Sequence, residues 1–151
     1  MTELAPTQRP KRPERPEFRN INAFKDLTTY RMPPAAWVSI LHRASGVIMF
    51  LLMPFIIWML DASISSEISF EKFKSAFNAG MLGLPGIIWK LVVLALVWAY
   101  LHHFIAGLRH LWMDMSHAAV NKEFGKTSAL VTLVASIALT VLLGAKLFGL
   151  Y

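Results

Sequence analysis

The stretch GIIWKLVVLALVWAYLHHFIAGLRHLWM, residues 86–113, decides the fold. As a helix rising about 1.5 Å per residue, it is long enough to cross a hydrocarbon core of about 30 Å. Its only permanently charged side chains are Lys90 and Arg109. The sequence therefore predicts a transmembrane helix that carries an unusual group of histidines near one end.

Two further stretches, 36–60 and 127–149, are also long and apolar enough to span a bilayer. In the first, Pro54 is tolerable in a membrane helix and could kink it. In the second, small residues recur every four positions, which favours close helix packing in lipid. Only 16% of all residues are charged, against about a quarter in soluble domains. The predicted fold is an all-α integral membrane protein with three transmembrane helices, residues 35–151 forming the membrane domain.

The segments outside these spans are polar. Residues 1–34 are basic and rich in proline, and RPKRPERPEF cannot continue a helix, so the sequence predicts a flexible arm. In 61–84, Phe70, Phe73 and Phe77 fall at helical spacing between charged residues. This pattern fits a short interfacial helix, and an ordinary loop with aromatic anchors fits it equally well.

The charge distribution predicts the orientation in the membrane. Eight of the fifteen lysines and arginines precede residue 44. Because cytoplasmic segments are enriched in Lys and Arg, we expect the arm in the cytoplasm and, after three spans, the C-terminus in the periplasm. A basic segment ahead of apolar spans is typical of membrane topology, so we do not expect nucleic acid as a partner.

Composition also excludes several kinds of site. The chain has no cysteine, which excludes disulfides, zinc–thiolate sites and iron–sulfur clusters within it. It contains neither G-x-G-x-x-G nor G-x-x-x-x-G-K-[ST], the familiar phosphate-binding loops.

The polar residues of the second span share a helix face. His103, Gly107, His110 and Asp114 follow the i, i+4, i+7, i+11 pattern, whereas His102 is turned about 100° away. Gly107 leaves a notch one turn from His103, where a planar macrocycle could approach the backbone.

The first span carries a second cluster, with Ser39, His42, Arg43 and Gly46 on one face. Because the first span enters from the side toward which the second leaves, the two clusters fall at similar depth near the cytoplasmic surface. His103 lies about 10 Å deeper than His110, at about 1.5 Å per residue.

This arrangement suits a haem group. A neutral imidazole such as His103 is a good axial ligand for haem iron, while His42, Arg43, Arg109 and His110 could face the anionic propionates. Arginine and a hydroxyl at this depth could also hold a quinone. Each residue has a simpler interpretation: His103 as an interhelical hydrogen-bond donor, Arg109 and His110 as side chains reaching the interface.

Two motifs carry a resemblance to a known family. SILHRASG (39–46) and HFIAGLRHLWMD (103–114) resemble the two signature segments of the cytochrome b membrane-anchor subunit of succinate dehydrogenase, the quinone-reducing respiratory complex II. The patterns are S-x-x-H-R-x-[ST]-G and H-x-x-x-G-x-R-H-x-x-x-D, and both match without a gap. The resemblance covers about residues 15–150.

The resemblance implies a subunit of a heteromeric helical bundle in the bacterial inner membrane. It implies a second small anchor subunit, an iron–sulfur subunit and a flavoprotein subunit as partners, and one haem b shared between the anchors. His103 would be this chain's iron ligand, with His102 as the competitor. His42, Arg43 and His110 would lie near the propionates, and Ser39 and Arg43 would line the ubiquinone pocket.

Three other functions fit parts of the pattern. The anchor of a fumarate reductase would run the reverse reaction with the same architecture. A haem-free transporter or channel component would use the polar residues to line a water path. A purely structural anchor would retain them without a quinone site.

Overall fold

Residues 22–151 are described by the structure, a computed structural model, and they form helices joined by short connections. The helices are α1 (Ala23–Thr29), α2 (Pro34–Leu51), α3 (Met53–Ile64), α4 (Glu67–Asn78), α5 (Gly86–Met115) and α6 (Lys122–Leu147). A single 3₁₀ turn, His117–Ala119, lies between α5 and α6. Three of the helices, α2, α5 and α6, are long and apolar enough to cross a membrane, which confirms the predicted fold class.

Positions 1–21 of the predicted arm, residues 1–34, lie outside the described residues. The part that follows contains α1, which the sequence pattern does not predict. Asn22 caps this helix, since its side-chain oxygen accepts hydrogen bonds from the backbone N–H groups of Phe24 and Lys25 at 3.1 and 3.3 Å. The described residues up to Arg31 belong to one unit, and Met32–Tyr151 form a second.

The predicted first span, 36–60, is divided into α2 and α3 at Leu52. Pro54 has no N–H with which to continue the ladder of hydrogen bonds, so the regular pattern breaks two residues before it. The backbone N–H of Leu52 still donates to Ile48 and its carbonyl still accepts from Ile56, both at 3.0 Å. Helix α3 therefore continues directly from α2, with a local irregularity in the backbone hydrogen bonds near the proline.

Of the two alternatives for 61–84, the structure has the helix. Ser66 and Ser69 exchange side-chain and backbone hydrogen bonds at 3.0 and 3.1 Å, which caps the start of α4. Phe73 packs between Phe70 and Phe77 and also faces Trp58 of α3. The regularly spaced phenylalanines thus attach α4 to the apolar helix that precedes it.

The centre of the membrane unit is where α2, α5 and α6 meet. Small side chains fill it: Val38, Ala106 and Ala129 are completely buried and form one cluster. Small residues let helices approach closely in lipid, where no hydrophobic driving force acts between them. Large apolar side chains such as Val131, Val134 and Val141 point outward and are more than half exposed, as expected for a surface that faces lipid or another subunit.

Candidate functional site

Helix α5 presents polar side chains to two different neighbours. His103 and His110 face α2, where both lie near the ring of His42. His102 and Arg109 face α6, where both contact serine side chains. Because consecutive residues on a helix are rotated by about 100°, each neighbouring pair divides its side chains between the two helices.

His103 is fixed against the backbone of α2. Its Nδ1 lies 3.0 Å from the carbonyl oxygen of His42 and 3.2 Å from Oγ of Ser45. A carbonyl oxygen can only accept, so Nδ1 must carry the proton and donate it. The hydroxyl of Ser45 donates in turn to the same carbonyl at 2.8 Å. The simpler interpretation, an interhelical hydrogen bond, is therefore realised, and it uses only one of the two ring nitrogens.

The other nitrogen, Nε2, therefore carries no proton and presents a lone pair. No hydrogen bond among the described residues uses Nε2 of His103, and the side chain is only half-buried. Histidines that bind metals commonly donate their second N–H to a backbone carbonyl, which fixes both the ring orientation and the nitrogen that is free to bind. The chemistry of His103 thus fits an axial ligand of haem iron.

Two glycines, Gly46 and Gly107, lie beside the rings of His103 and His42. A Cβ atom at Gly46 would lie 3.2 Å from Cε1 of His103, closer than an ordinary contact of about 3.5–4.0 Å. A Cβ atom at Gly107 would lie 3.6 Å from Nε2 of His42, an ordinary contact. Gly46 therefore provides the space in which the His103 ring packs against α2, whereas position 107 would accommodate a Cβ atom beside His42.

The predicted site residues of the first span lie beside His103. The ring of His42 stacks on that of His103, with centroids 4.1 Å apart and planes inclined by 18°, and its centroid is 5.3 Å from that of His110. Arg43 is exposed, Ser39 is half-buried, and neither side chain has a hydrogen-bond partner in the described part of the chain. The structure thus brings His42, His103 and His110 together and leaves Arg43 and Ser39 open beside them.

His102 is placed differently from His103. Its side chain is completely buried, Nδ1 lies 3.1 Å from Oγ of Ser136, and the ring stacks on Trp98 with centroids 5.5 Å apart. Its Nε2 is enclosed and has no hydrogen-bond partner among residues 22–151. The stacking also accounts for Trp98, a tryptophan in the middle of the predicted span, far from both of its ends. A macrocycle could not reach this ring unless α5 moved away from its neighbours.

Arg109 is separated from the cluster with which the sequence pattern groups it. Only 8% of the residue is exposed, since the side chain lies against α6. Nε donates to Oγ of Ser128 at 2.9 Å and Nη2 donates to the carbonyl oxygen of Gly125 at 3.2 Å. These bonds direct the guanidinium toward α6, away from the face with His103 and His110. The structure therefore does not bring Arg109 together with His42 and His110, and its role near a propionate stays a prediction.

Three residues of this arrangement are not singled out by the sequence pattern as functional. Ser45 lies within hydrogen-bond distance of His103 and donates to the same carbonyl, and Ser128 and Ser136 are the side-chain partners of Arg109 and His102. Ser45 lies within the first motif, three residues after His42. The two α6 serines belong to the four-residue repeat of small side chains, which indicates packing but not their polar partners.

Comparison with known proteins identifies the family. The family model described as "Succinate dehydrogenase/Fumarate reductase transmembrane subunit" matches residues 8–143. A succinate dehydrogenase cytochrome b556 subunit of Coxiella burnetii is 37% identical over 119 residues, covering 79% of this chain and 90% of that protein. The corresponding subunit of Rickettsia prowazekii is 30% identical, covering 78% of this chain and 85% of that protein.

A relative from a third organism gives the same result. The succinate dehydrogenase cytochrome b560 subunit of Porphyra purpurea is 32% identical over 112 residues, covering 72% of this chain and 86% of that protein. The matched region includes both polar motifs, the helices α2 and α5, and most of α6. The resemblance inferred from the two motifs is confirmed, and the chain belongs to the family of transmembrane subunits of succinate dehydrogenase and fumarate reductase.

Proposed function

We propose that this chain binds haem b jointly with a second small membrane subunit and forms part of the ubiquinone-reduction site of a succinate dehydrogenase. The observation that carries this proposal is the hydrogen bonding of His103, which commits Nδ1 to α2 and leaves Nε2 free. The three relatives named above are cytochrome b subunits, which agrees with a haem ligand in this position.

Haem b, when bound, supplies a one-electron carrier within the membrane. His103 is the residue of this chain that would coordinate the iron, because its competitor His102 is completely buried against Ser136 and Trp98. His42 and His110 lie beside His103, and Arg43 is exposed on the same helix as His42. These three side chains would hold the propionates by hydrogen bonds and charge.

The second axial ligand would come from the partner anchor subunit. Two axial imidazoles must point at the iron from opposite sides of the macrocycle. His42 and His103 instead stack face to face, with centroids only 4.1 Å apart, which is incompatible with a shared iron between them. This stacking excludes His42 as the second ligand and so supports a site at the boundary with another subunit.

The quinone would bind beside Ser39 and Arg43. They are four residues apart on α2, so both side chains lie on one face and can reach one ligand. A guanidinium remains charged and donates several hydrogen bonds, which suits a quinone oxygen that gains negative charge during reduction. The Ser39 hydroxyl would orient the quinone or pass a proton to it.

The orientation predicted from the charges places this site near the cytoplasm. α2 begins at Pro34, α5 ends at Met115, and His42 meets His110 near these ends. With the N-terminus in the cytoplasm, this end of the bundle faces the side on which the iron–sulfur and flavoprotein subunits would dock. The C-terminus would then be periplasmic, in a bacterial inner membrane.

The physiological direction is proposed as succinate oxidation. The matched family includes anchors of both succinate dehydrogenase and fumarate reductase, and the relatives named above are all succinate dehydrogenase subunits.

The proposal is tested by the haem spectra of two leucine variants of neighbouring residues. In the purified complex, His103→Leu should abolish the bis-histidine signature, because it removes the lone pair at Nε2. His102→Leu should retain bis-histidine ligation, because Nε2 of His103 stays in place when the contacts of His102 with Ser136 and Trp98 are lost. Reduced-minus-oxidised absorption and low-temperature electron paramagnetic resonance spectra provide the measurement.

Assembly of both variants should be followed by the ratio of the subunits in the purified complex. A normal spectrum in His103→Leu together with a lost spectrum in His102→Leu would assign the ligand to His102. An unaltered complex that contains no haem would refute the haem-binding function itself.

A further inference from the structure

Two polar contacts connect α5 to α6 at corresponding heights. Near the middle of α5, His102 contacts Ser136 through Nδ1 at 3.1 Å. Two turns further on, Arg109 donates to Ser128 at 2.9 Å and to the Gly125 carbonyl at 3.2 Å. We call these two contacts the α5–α6 ladder.

The ladder follows one antiparallel register. From His102 to Arg109 the chain advances by seven residues on α5. Their partners on α6, Ser136 and Ser128, lie eight residues apart in the opposite direction. A third contact obeys the same register: an added Cβ atom at Gly144 would lie 2.8 Å from a methyl carbon of Leu94, eight residues before His102. The three contacts therefore extend along most of the two helices.

The small residues between the two polar contacts do not by themselves specify this register. The α6 face that meets α5 repeats small residues every four positions, from Ser128 to Gly144. Between the two polar contacts, the buried side chains are Ala106 on α5 and Ala129 and Thr132 on α6. If α6 slipped by one turn in one direction, Phe124 would replace Ser128 opposite Arg109. A slip in the other direction would offer the hydroxyls of Thr132 and Thr140, but it would place Phe148 in place of Gly144 opposite Leu94. The polar contacts and the close approach at Gly144 together therefore specify the register. Buried polar contacts are known to fix register in this way in helical assemblies.

Each ladder residue immediately precedes a residue of the proposed site. His102 is followed by His103, and Arg109 is followed by His110. The rotation of about 100° between neighbours means that holding the first toward α6 turns the second toward α2. We propose that His102 and Arg109 are positioning residues, which fix the rotation and register of α5 and thereby the direction in which His103 and His110 face. The inference rests on the proposed haem site and assigns a role to residues that do not touch it.

The test changes α6, which leaves the sequence around His103 intact. Ser128→Ala and Ser136→Ala, combined, remove both hydroxyl partners. Ser128→Thr and Ser136→Thr keep the hydroxyls and should restore the original behaviour. Thr140→Val is the matched control, because the Thr140 hydroxyl donates only within its own helix, to the Ser136 carbonyl at 2.7 Å.

The first measurement does not depend on haem. The chain has no cysteine, so Leu94→Cys with Gly144→Cys introduces one pair where the two helices touch. Disulfide formation in the assembled complex then reports the register. We expect the combined alanine variant to lower the yield of this crosslink about three- to tenfold, since interhelical polar contacts in membranes are individually weak. The threonine variant and Thr140→Val should keep the yield.

The second measurement is the electron paramagnetic resonance signal of the oxidised haem, which depends on the orientation of the axial rings. We expect a shifted or broadened signal in the combined alanine variant and an unchanged one in the threonine variant. Unchanged crosslinking in the assembled alanine variant would overturn the proposed register. Reduced crosslinking with an unchanged signal would overturn the positioning of His103. If the unaltered complex lacked haem, the proposed function would fail, and crosslinking would still decide whether the ladder sets the register.

Discussion

Replacing Gly46 by alanine should disturb the His103 ring without dissociating the complex. The added Cβ atom would lie 3.2 Å from Cε1 of His103, about 0.3–0.8 Å short of an ordinary contact. A shift of that size would lengthen hydrogen bonds that now measure 3.0 and 3.2 Å at Nδ1, at a cost of about 0.5–1.5 kcal/mol each. Alanine is favoured over glycine inside a helix by about 1 kcal/mol, which offsets much of this loss.

The net change in stability is therefore about 0–2 kcal/mol, while the change in ring geometry is direct. We expect Gly46→Ala to assemble with nearly full haem content and a shifted electron paramagnetic resonance signal. Gly46→Val, with two more carbon atoms at the same place, should lose most of the haem. Gly125→Ala is the control, because an added Cβ atom there has no neighbour within 4 Å. If both Gly46 variants retained the native signal and haem content, the ring could not be packed against α2 as described.

Three further outcomes follow from the same geometry. The chain expressed without partner subunits should give no stable bis-histidine spectrum, because the stacked rings of His42 and His103 cannot face one iron from opposite sides; such a spectrum would refute a shared site. Ser39→Ala and Arg43→Leu should lower succinate-to-quinone turnover about 5- to 150-fold, as expected for the loss of a polar contact worth about 1–3 kcal/mol, and should spare succinate oxidation with an artificial acceptor. If both activities fell with subunit loss, these residues would serve assembly. Arg109→Lys keeps the charge but cannot reproduce the donor geometry toward Ser128 and Gly125. The subunit should therefore be released from the complex at a lower temperature on heating. An unchanged release temperature would contradict the contacts described.

The membrane helices could be predicted from the sequence because hydropathy and length are sufficient for that purpose. Long apolar stretches have few alternatives to a helix in lipid, where every backbone polar group must be satisfied internally. The irregularity at Leu52 follows from Pro54, although the sequence does not specify the residue at which the helix breaks. Helix α1 was beyond this reasoning because its seven residues are too few for an apolar period, and a single capping residue, Asn22, defines its start.

The candidate site could be predicted only in part, and Arg109 shows why. Helical periodicity states which residues share a face, so it correctly separates His102 from the face of His103, Gly107 and His110. It does not state which neighbouring helix each face meets. Arg109 lies next to His110 in the sequence, but the structure directs it to α6, where Ser128 and Gly125 satisfy its donors. That information depends on how three helices pack, which no single helix encodes.

The same packing explains why one apolar helix carries so many ionisable side chains. Such groups are costly in a bilayer unless they find partners inside the bundle. On α5, His102 and Arg109 find theirs on α6, within this chain. His103 uses one nitrogen on α2 and leaves the other free, and Arg43 has no partner among the described residues. The polar groups that the chain satisfies internally therefore hold the helices in place, and those that it leaves open are the ones expected to meet haem, quinone and the second anchor subunit.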